Sequence, residues 1–334
     1  MSTVIPGKPD TTSPWATRFA PIGEELAGVE HRLQAALRHP DPFIDELAQR
    51  SFRLGGKRLR PALLLLTAQA AGAINDNHRI LAAVVEMIHT ATLVHDDVLD
   101  EAAIRRHEDT INARWNNQTS ILLGDYLFSQ AFYLASSLET TLGCRTIGRS
   151  TNIVCEGELL QTAASGNFEL SCEQYFRIIG AKTAELCACC CSLGAHYAGC
   201  DQQAIEQLKT FGQQLGIAFQ IADDLLDLVG EEQTVGKSLG TDLTKQRMTL
   251  PLILLRDQLD STQQRDLQNL LDVPNIDNNG TLKAWLQSSG ALQQAHELAQ
   301  SHADEARQQL TFLADSPAKQ SLLLLPQAAV SRCI

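Results

Sequence analysis

The run His95-Asp96-Asp97-Val98-Leu99-Asp100 places three carboxylates within five residues, inside an otherwise apolar pattern. Like charges this close repel and raise one another's pKa. On a helix, Asp96 and Asp100 lie one turn apart and project from the same face. Such a pair can share hard divalent cations, and Mg²⁺ takes one or two carboxylates plus substrate phosphates. A single cluster of this kind also reads as a solvated helix face. The pattern recurs, however: Asp223-Asp224-Leu225-Leu226-Asp227 has the same Asp-Asp-x-x-Asp form and follows an apolar, helix-like run (Leu215, Ile217, Ala218, Phe219, Ile221, Ala222). Two helices, each offering Asp at i and i+4, can face each other across a cavity and grip a diphosphate through shared metal ions.

A bound polyanion also requires cations. The chain is acidic, with a formal net charge of −12, which argues against a nucleic-acid partner and against attraction to an anionic membrane surface. Its cations must therefore be placed locally. Gly55-Gly56-Lys57-Arg58-Leu59-Arg60-Pro61 sets three cations in four residues just before a helix. The glycines permit close backbone approach and a helix N-terminus favours an anion, although a solubilising basic turn has the same composition. Arg105-Arg106 follow the first aspartate cluster, and arginine forks suit phosphate oxygens. Lys182-Thr183 interrupts a mostly apolar helix, where a lone ammonium requires an anionic partner. Gln220 lies three residues before Asp223 on the same face. Lys237, Lys245 and Arg247 populate the segment after the second cluster. Several separate cationic stations beside two carboxylate clusters suit two diphosphates bound at once.

The elements that must position these groups read as helices throughout. A length of 334 residues and 44% hydrophobic content allow one large core. Residues 1–16 read as a flexible tail and 17–334 as a single all-α domain. Periodicity predicts helices from Ile22 to Leu37, over Pro42–Leu54, Pro61–Ala71, Arg79–Asp100, Ser120–Leu138, Thr141–Ala164, Cys172–Ala198 and Gln203–Val229. Glu101–Asn117 and Gly230–Met248 read as irregular segments, the second long enough to act as a lid. Asp272–Gly280 reads as turn-rich, and two or three C-terminal helices follow. No run reads as a strand. The architecture implied is a bundle of long antiparallel helices around a central cavity. The N-terminal stretch is polar and Pro-rich, without the pattern of a secretory signal, and the longest apolar runs, around Pro61–Ala73 and Leu186–Cys200, fall short of the roughly 20 residues a transmembrane helix needs. A soluble cytoplasmic protein is expected. Of nine cysteines, five crowd between Cys187 and Cys200. No Cys-x-x-Cys pair with a matching second pair is present, so packing is expected over metal binding.

With these residues in view, the chain resembles the trans-isoprenyl diphosphate synthase (polyprenyl synthetase) family over roughly Leu26 to Leu255. The resemblance rests on Gly56-Lys57-x-x-Arg60-Pro61, His89 seven residues before Asp96, both Asp-Asp-x-x-Asp clusters, Arg105-Arg106, Lys182-Thr183, Phe219-Gln220-x-x-Asp223-Asp224, Asp242-Leu243 and Thr249-Leu250-Pro251. It implies the all-α isoprenoid synthase fold, usually as a homodimer. Lys57, Arg60, His89 and Arg106 would bind isopentenyl diphosphate. Arg105, Lys182, Thr183, Gln220 and Lys237 would hold an allylic diphosphate. Asp96, Asp100 and Asp223 would be the main Mg²⁺ ligands, with Asp97 and Asp227 supporting them directly or through water, and about three ions per site. Asp96, Asp100, Arg105, Lys182 and Asp223 would carry the chemistry. Two positions depart from the family pattern. His107 stands where glycine often follows the arginine pair, and Gln246-Arg247 stand where Gly-Lys is usual.

The implied reaction is loss of diphosphate from the allylic substrate, attack by the alkene of isopentenyl diphosphate, and proton loss to the released diphosphate. In the family, bulky aromatics at the places of Ala91 and Thr92 mark short products. Their small size here resembles the long-chain synthases that make quinone side chains, with Ile88 roughly one turn further down the helix. Brief membrane contact would aid release of such a product. The alternatives are a farnesyl or geranylgeranyl synthase, a terpene cyclase, and a non-catalytic subunit of a heteromeric synthase. Intact clusters argue against the last. Only 5% aromatic residues argues against the cyclase, which stabilises its cations with aromatic faces.

Overall fold

The structure is a computed structural model, and it describes residues 18–53, 58–105, 108–229, 241–272 and 276–331. Lys57, Arg106, His107 and Lys237 lie outside these described residues, as does the tail expected over 1–16.

A short 3₁₀ turn at Ala20–Ile22 leads into α1 (Gly23–Ala36), α2 (Pro42–Arg53) and α3 (Leu59–Ala71). Helix α4 (Asp76–Leu99) begins at a reciprocal cap, in which Asn75 accepts from the His78 N–H and the His78 ring accepts from the Asn75 N–H. Every residue from Ile80 to Ile88 is buried, so α4 is apolar all round and forms the centre of the bundle. It packs most extensively on α5 (Asn117–Ala135), and also on α3 and α1. Helix α6 (Leu142–Ala163) follows, then α7 (Cys172–Ile179), a π-helical segment (Gly180–Ala184) and α8 (Glu185–Tyr197). Helix α9 (Gln202–Val229) is the longest described. After a single turn at Thr241–Thr244 come α10 (Leu250–Arg256), α11 (Ser261–Asp272), α12 (Ile276–Ser289), α13 (Ala291–Gln308) and α14 (Pro317–Val330).

Two apolar clusters fill the bundle. The larger lies among α3, α4, α5 and α8, and the second among α7, α10, α12 and α13. Helix α9 joins them, giving Leu208, Phe211 and Leu215 to the first and Ile217, Ala218, Ile221 and Leu225 to the second. The helix that carries the second aspartate cluster is thus gripped along its length. Cys187, Cys189, Cys190 and Cys191 are buried as packing residues of the larger cluster, and burial pushes the Cys189 thiol up to about 12.

Three expectations are corrected. The stretch after the first cluster is not wholly irregular: Ile104–Arg105 pairs antiparallel with Glu108–Asp109, and a helical turn spans Ile111–Arg114. Two-residue strands have no periodicity to reveal them. The Asn-Asn-Gly stretch lies within α12 rather than in a turn, and that helix is anchored further on by buried Leu282 and Leu286, one turn apart on one face. Finally, the continuous helical run Cys172–Tyr197 is long and apolar enough to cross a membrane by length and composition, because it is a core helix, most of it buried against its neighbours.

The π segment is held by two glycines. A Cβ at Gly157 of α6 would come within 2.6 Å of the Lys182 backbone nitrogen, and one at Gly216 of α9 within 2.4 Å of the Ala184 Cα. Backbone atoms cannot swing aside as side-chain tips do, so both helices approach the segment only because no side chain intervenes. Gly157→Ala or Gly216→Ala is expected to cost about 1–3 kcal/mol of stability, read as a lowered denaturation midpoint. A midpoint unchanged in both variants would show that the segment is not pinned from these sides.

Candidate active site

Both aspartate clusters sit at the C-terminal end of a long helix, where the macrodipole is negative and carboxylates are least welcome. Several of these carboxylates therefore have specific partners. Asp97, 2% exposed, accepts from Arg105 Nε at 2.8 Å and stands 2.8 Å from Nη2 of the same guanidinium. The two-stranded hairpin carries Arg105 back over the end of α4 to make this contact. Asp100 pairs with Lys245 and with Arg247 Nη2 at 3.4 Å. Arg247 also reaches Asp242 Oδ1 at 3.3 Å, and the Asp242 N–H donates to Asp227 Oδ2 at 3.0 Å. The sequence Asp100, Arg247, Asp242, Asp227 thus links the first cluster to the second across 127 positions of the chain, the difference between 227 and 100.

Asp96 faces the π segment. Burial first, and then the negative charge of Glu158, push its carboxyl up to about 6, against the pull of Lys182 and Arg105. Lys182 Nζ lies 2.8 Å from Glu158 Oε2. The next residue, Thr183, donates its hydroxyl to Gln220 Oε1 at 2.7 Å, and Gln220 Nε2 donates to Asp224 Oδ1 at 2.8 Å. Thr183 has thereby committed its single proton and offers lone pairs to whatever stands before it, so holding an anion here falls to Lys182. Asp224 is 5% exposed and takes a second donor, the Tyr175 hydroxyl, at 2.6 Å. Burial and Asp242 raise the Asp224 carboxyl, and these two donors pull it back. Asp223 is half-buried beside it.

The basic turn before α3 divides by role. Arg58, in the left-handed region at φ 54°, points inward and pairs with Glu30 and with buried Glu86, the latter at 2.7 Å. It is a structural ion pair and not a solubilising charge. Arg60 Nη1 lies 2.9 Å from His89 Nε2, so the structure joins two residues expected to bind isopentenyl diphosphate. Arg60 Nε is buried and has no hydrogen-bond partner among the described residues, as suits a guanidinium with a donor to spare for an anion. Ala91 and Ile88 are buried on α4, and Thr92 turns its hydroxyl back to the His89 carbonyl at 2.8 Å.

Sequence reasoning missed Glu158 and Tyr175 as members of this site, and it named Asp224 and Asp242 in motifs without giving either a role. Tyr175 lies seven residues before Lys182, a two-turn spacing that could have signalled a shared face. Glu158 carries no local signal, since only tertiary packing brings it in, whereas the Asp242-Leu243 motif marks Asp242 without a role. Lys245 and Arg247 stand out by charge alone. Between them Gln246 adopts φ 51°, at the place where the resemblance usually has glycine, and its backbone is tied to Gly166 by a 3.0 Å hydrogen bond. The glycine departure is therefore met by strain in a non-glycine residue.

The donor set suits a hard divalent cation. Asp96, Asp97, Asp100, Glu158, Asp223, Asp224, Asp227 and Asp242 outnumber the cations Arg105, Lys182, Lys245 and Arg247 among the described residues, and all offer oxygen. Among the described residues no three acidic, His or Cys groups converge into a preassembled metal centre.

Comparison with known proteins agrees with this geometry. The polyprenyl synthetase family model matches residues 41–288. The all-trans-nonaprenyl-diphosphate synthase (geranyl-diphosphate specific) of Rhodobacter capsulatus is 35% identical, over 94% of this chain and 97% of its own. A decaprenyl diphosphate synthase structure from the same organism superposes with a TM-score of 0.91 at 33% identity, covering 96% of this chain and all of that one. A polyprenyl synthase of Caulobacter crescentus, solved with calcium and isoprenyl diphosphate, gives 0.90 at 34% identity, over 98% of this chain and 100% of its own. The chain belongs to the polyprenyl synthetase family, and its fold is the all-α isoprenoid synthase fold.

Asp96 gives a pH test. Its folded pKa of about 6 exceeds the ordinary 3.8, so the metal-free folded state binds the extra proton and its stability falls as pH rises from about 4 to 6. A Mg²⁺ ion held by Asp96 would compete with that proton. The rise in melting temperature on adding Mg²⁺ is expected to be larger at pH 7.5 than at pH 5. An equal rise at both would contradict the placement of Asp96 in the cation site.

Proposed function

We propose that this protein is a trans-prenyltransferase that condenses isopentenyl diphosphate head to tail with an allylic diphosphate, repeating the step to a long-chain polyprenyl diphosphate. The observation that carries the reading is the joining of the two aspartate clusters through Arg247 and Asp242, with Lys182 and Arg105 on one side of them. A separate Arg60–His89 pair offers a second anion station. Family membership and the long-chain relatives support the same reading.

Asp96, Asp100 and Asp223 would hold Mg²⁺, backed by Asp97 and Asp227. When bound, it supplies Lewis-acid charge to the leaving diphosphate. The calcium and isoprenyl diphosphate of the Caulobacter protein support a divalent cation here. Lys182 and Arg105 hold positive charge where negative charge grows as the allylic C–O bond breaks. The Arg60 guanidinium and His89 orient the second substrate so that its alkene meets the allylic carbon. The bundle excludes water that would otherwise quench the cation. None of the described site residues is a strong base, so the departing diphosphate takes the proton. Small Ala91 and Thr92 leave α4 without a bulky barrier to the growing tail.

The face of α5 supports a homodimer. Leu122 and Tyr133 lie about three turns apart on one side and are 60% and 77% exposed. We place the enzyme in the cytoplasm, with brief lipid contact to release its apolar product.

Purified protein incubated with Mg²⁺, isopentenyl diphosphate and farnesyl diphosphate is expected to yield prenols of six or more isoprene units after hydrolysis. Ala91→Phe is expected to shorten them. No elongation by folded protein would overturn the catalytic reading, and a stop at geranylgeranyl would overturn the long-chain one. Light scattering on the same sample should give about twice the 36.5 kDa chain mass. A chain-mass particle would remove the dimer.

A further inference from the structure

The reaction proposed above needs Lys182 in a fixed position, and its neighbour Thr183 is bonded to Gln220 on a different element. Lys182 and Thr183 lie in the π segment and Gln220 in α9. What holds them in register is a relay of three short hydrogen bonds. Tyr175 donates to Asp224 Oδ2 at 2.6 Å, Gln220 donates to Asp224 Oδ1 at 2.8 Å, and Thr183 donates to Gln220 at 2.7 Å. The relay crosses from α7 to α9 and back to the π segment, so it closes a loop around the elements that carry the allylic station.

The polarity of this relay is fixed from its buried end. Tyr175 is 4% exposed and its hydroxyl has one proton to give. Asp224 accepts at both of its oxygens, so Gln220 turns its amide nitrogen toward it and its amide oxygen toward Thr183. Thr183 then has to donate. Reversing any one member would set two donors or two acceptors face to face. Both Asp224 oxygens are occupied by these donors, which separates its role from that of neighbouring Asp223.

Stability alone does not account for a buried tyrosine–aspartate pair. A carboxylate taken out of water is expensive, and an apolar pair of similar volume generally stabilises a core as well or better. What the polar pair supplies is direction: two donors fix the carboxylate, and the carboxylate fixes the amide.

We propose that Tyr175 is a positioning residue of the allylic diphosphate station, acting through Asp224 and Gln220 on the orientation of Thr183 and the register of the adjoining Lys182. This rests on the prenyltransferase reading above. Tyr175 touches neither substrate; it sets the groups that do. The isopentenyl station, at Arg60 and His89 on α3 and α4, is built from other elements and stays outside its influence.

The test is steady-state kinetics of the full chain with Mg²⁺, farnesyl diphosphate and isopentenyl diphosphate, comparing wild type, Tyr175→Phe, Asp224→Asn and the double variant. Wild-type activity comes first, because an inactive wild type would overturn the prenyltransferase reading itself. With active wild type, Tyr175→Phe is expected to lower kcat/KM for farnesyl diphosphate about tenfold, in the range usual for lost positioning partners, while KM for isopentenyl diphosphate stays within about twofold. In the Asp224→Asn background, removing the hydroxyl is expected to cost little more, since the relay is already broken. Wild-type kinetics in Tyr175→Phe, equal loss at both substrates, or fully additive losses would each overturn the proposal.

A second measurement covers a variant that fails to fold. The chain has four tyrosines, so 3-fluorotyrosine labelling of the intact enzyme gives few ¹⁹F signals. The Tyr175 signal, the one left after Tyr126→Phe, Tyr133→Phe and Tyr197→Phe assign the other three, is expected to shift on adding Mg²⁺ and farnesyl thiolodiphosphate. A signal indifferent to that ligand would overturn the proposal.

Discussion

The structure depends on an excess of negative charge gathered where it is least favourable. Two long helices, α4 and α9, each end in an Asp-Asp-x-x-Asp cluster at the negative pole of the helix dipole. Left alone, these carboxylates would repel each other and unwind both helix ends. The first cluster is held by cations recruited from other parts of the chain, Arg105 from the hairpin and Lys245 and Arg247 from the segment before α10, and the second by the neutral donors Tyr175, Gln220 and the Asp242 N–H. The surplus that remains is visible in Asp96, whose carboxyl rises to about 6 through burial and Glu158. Unmet negative charge and oxygen-only donors are what the divalent cation and diphosphate of the proposed reaction would require.

The remaining architecture delivers partners to that charge. The π segment interrupts a buried helix where Lys182 must leave the apolar core, in keeping with the frequent occurrence of such bulges at functional sites. Gly157 and Gly216 let α6 and α9 close on it. The left-handed residue Gln246 lets Lys245 and Arg247 both reach Asp100 from one short segment. Arg58 and Glu86 form a buried pair, and two residues further along Arg60 meets His89. Energy is spent on strain and on buried charge wherever the chain must aim a polar group.

Much of this was legible in the sequence because helical period and carboxylate spacing are local properties. The span of α4, α6 and α9, the paired aspartate clusters and the Arg60–His89 and Thr183–Gln220 associations all follow from patterns within single segments or from the family resemblance. The parts that were not legible are those made by tertiary contact. Asp97 belongs to Arg105, and Asp224 to Tyr175 and Gln220, and no spacing rule separates them from Asp96 and Asp223 beside them. The α12 helix passes through Asn-Asn-Gly because buried leucines further along outweigh weak local propensity. Glu158 enters the site only because Gly157 lets two helices touch.

The central claim is that the two aspartate clusters form one diphosphate station and not two. Calorimetric titration of farnesyl thiolodiphosphate, in the presence of Mg²⁺, into wild type, Asp96→Asn, Asp223→Asn and the double variant tests it most directly. One station is expected to lose nearly as much affinity from either single substitution as from both together, because each removes a member of the same unit. Losses that add independently, or a variant that keeps wild-type affinity after losing one cluster, would contradict it.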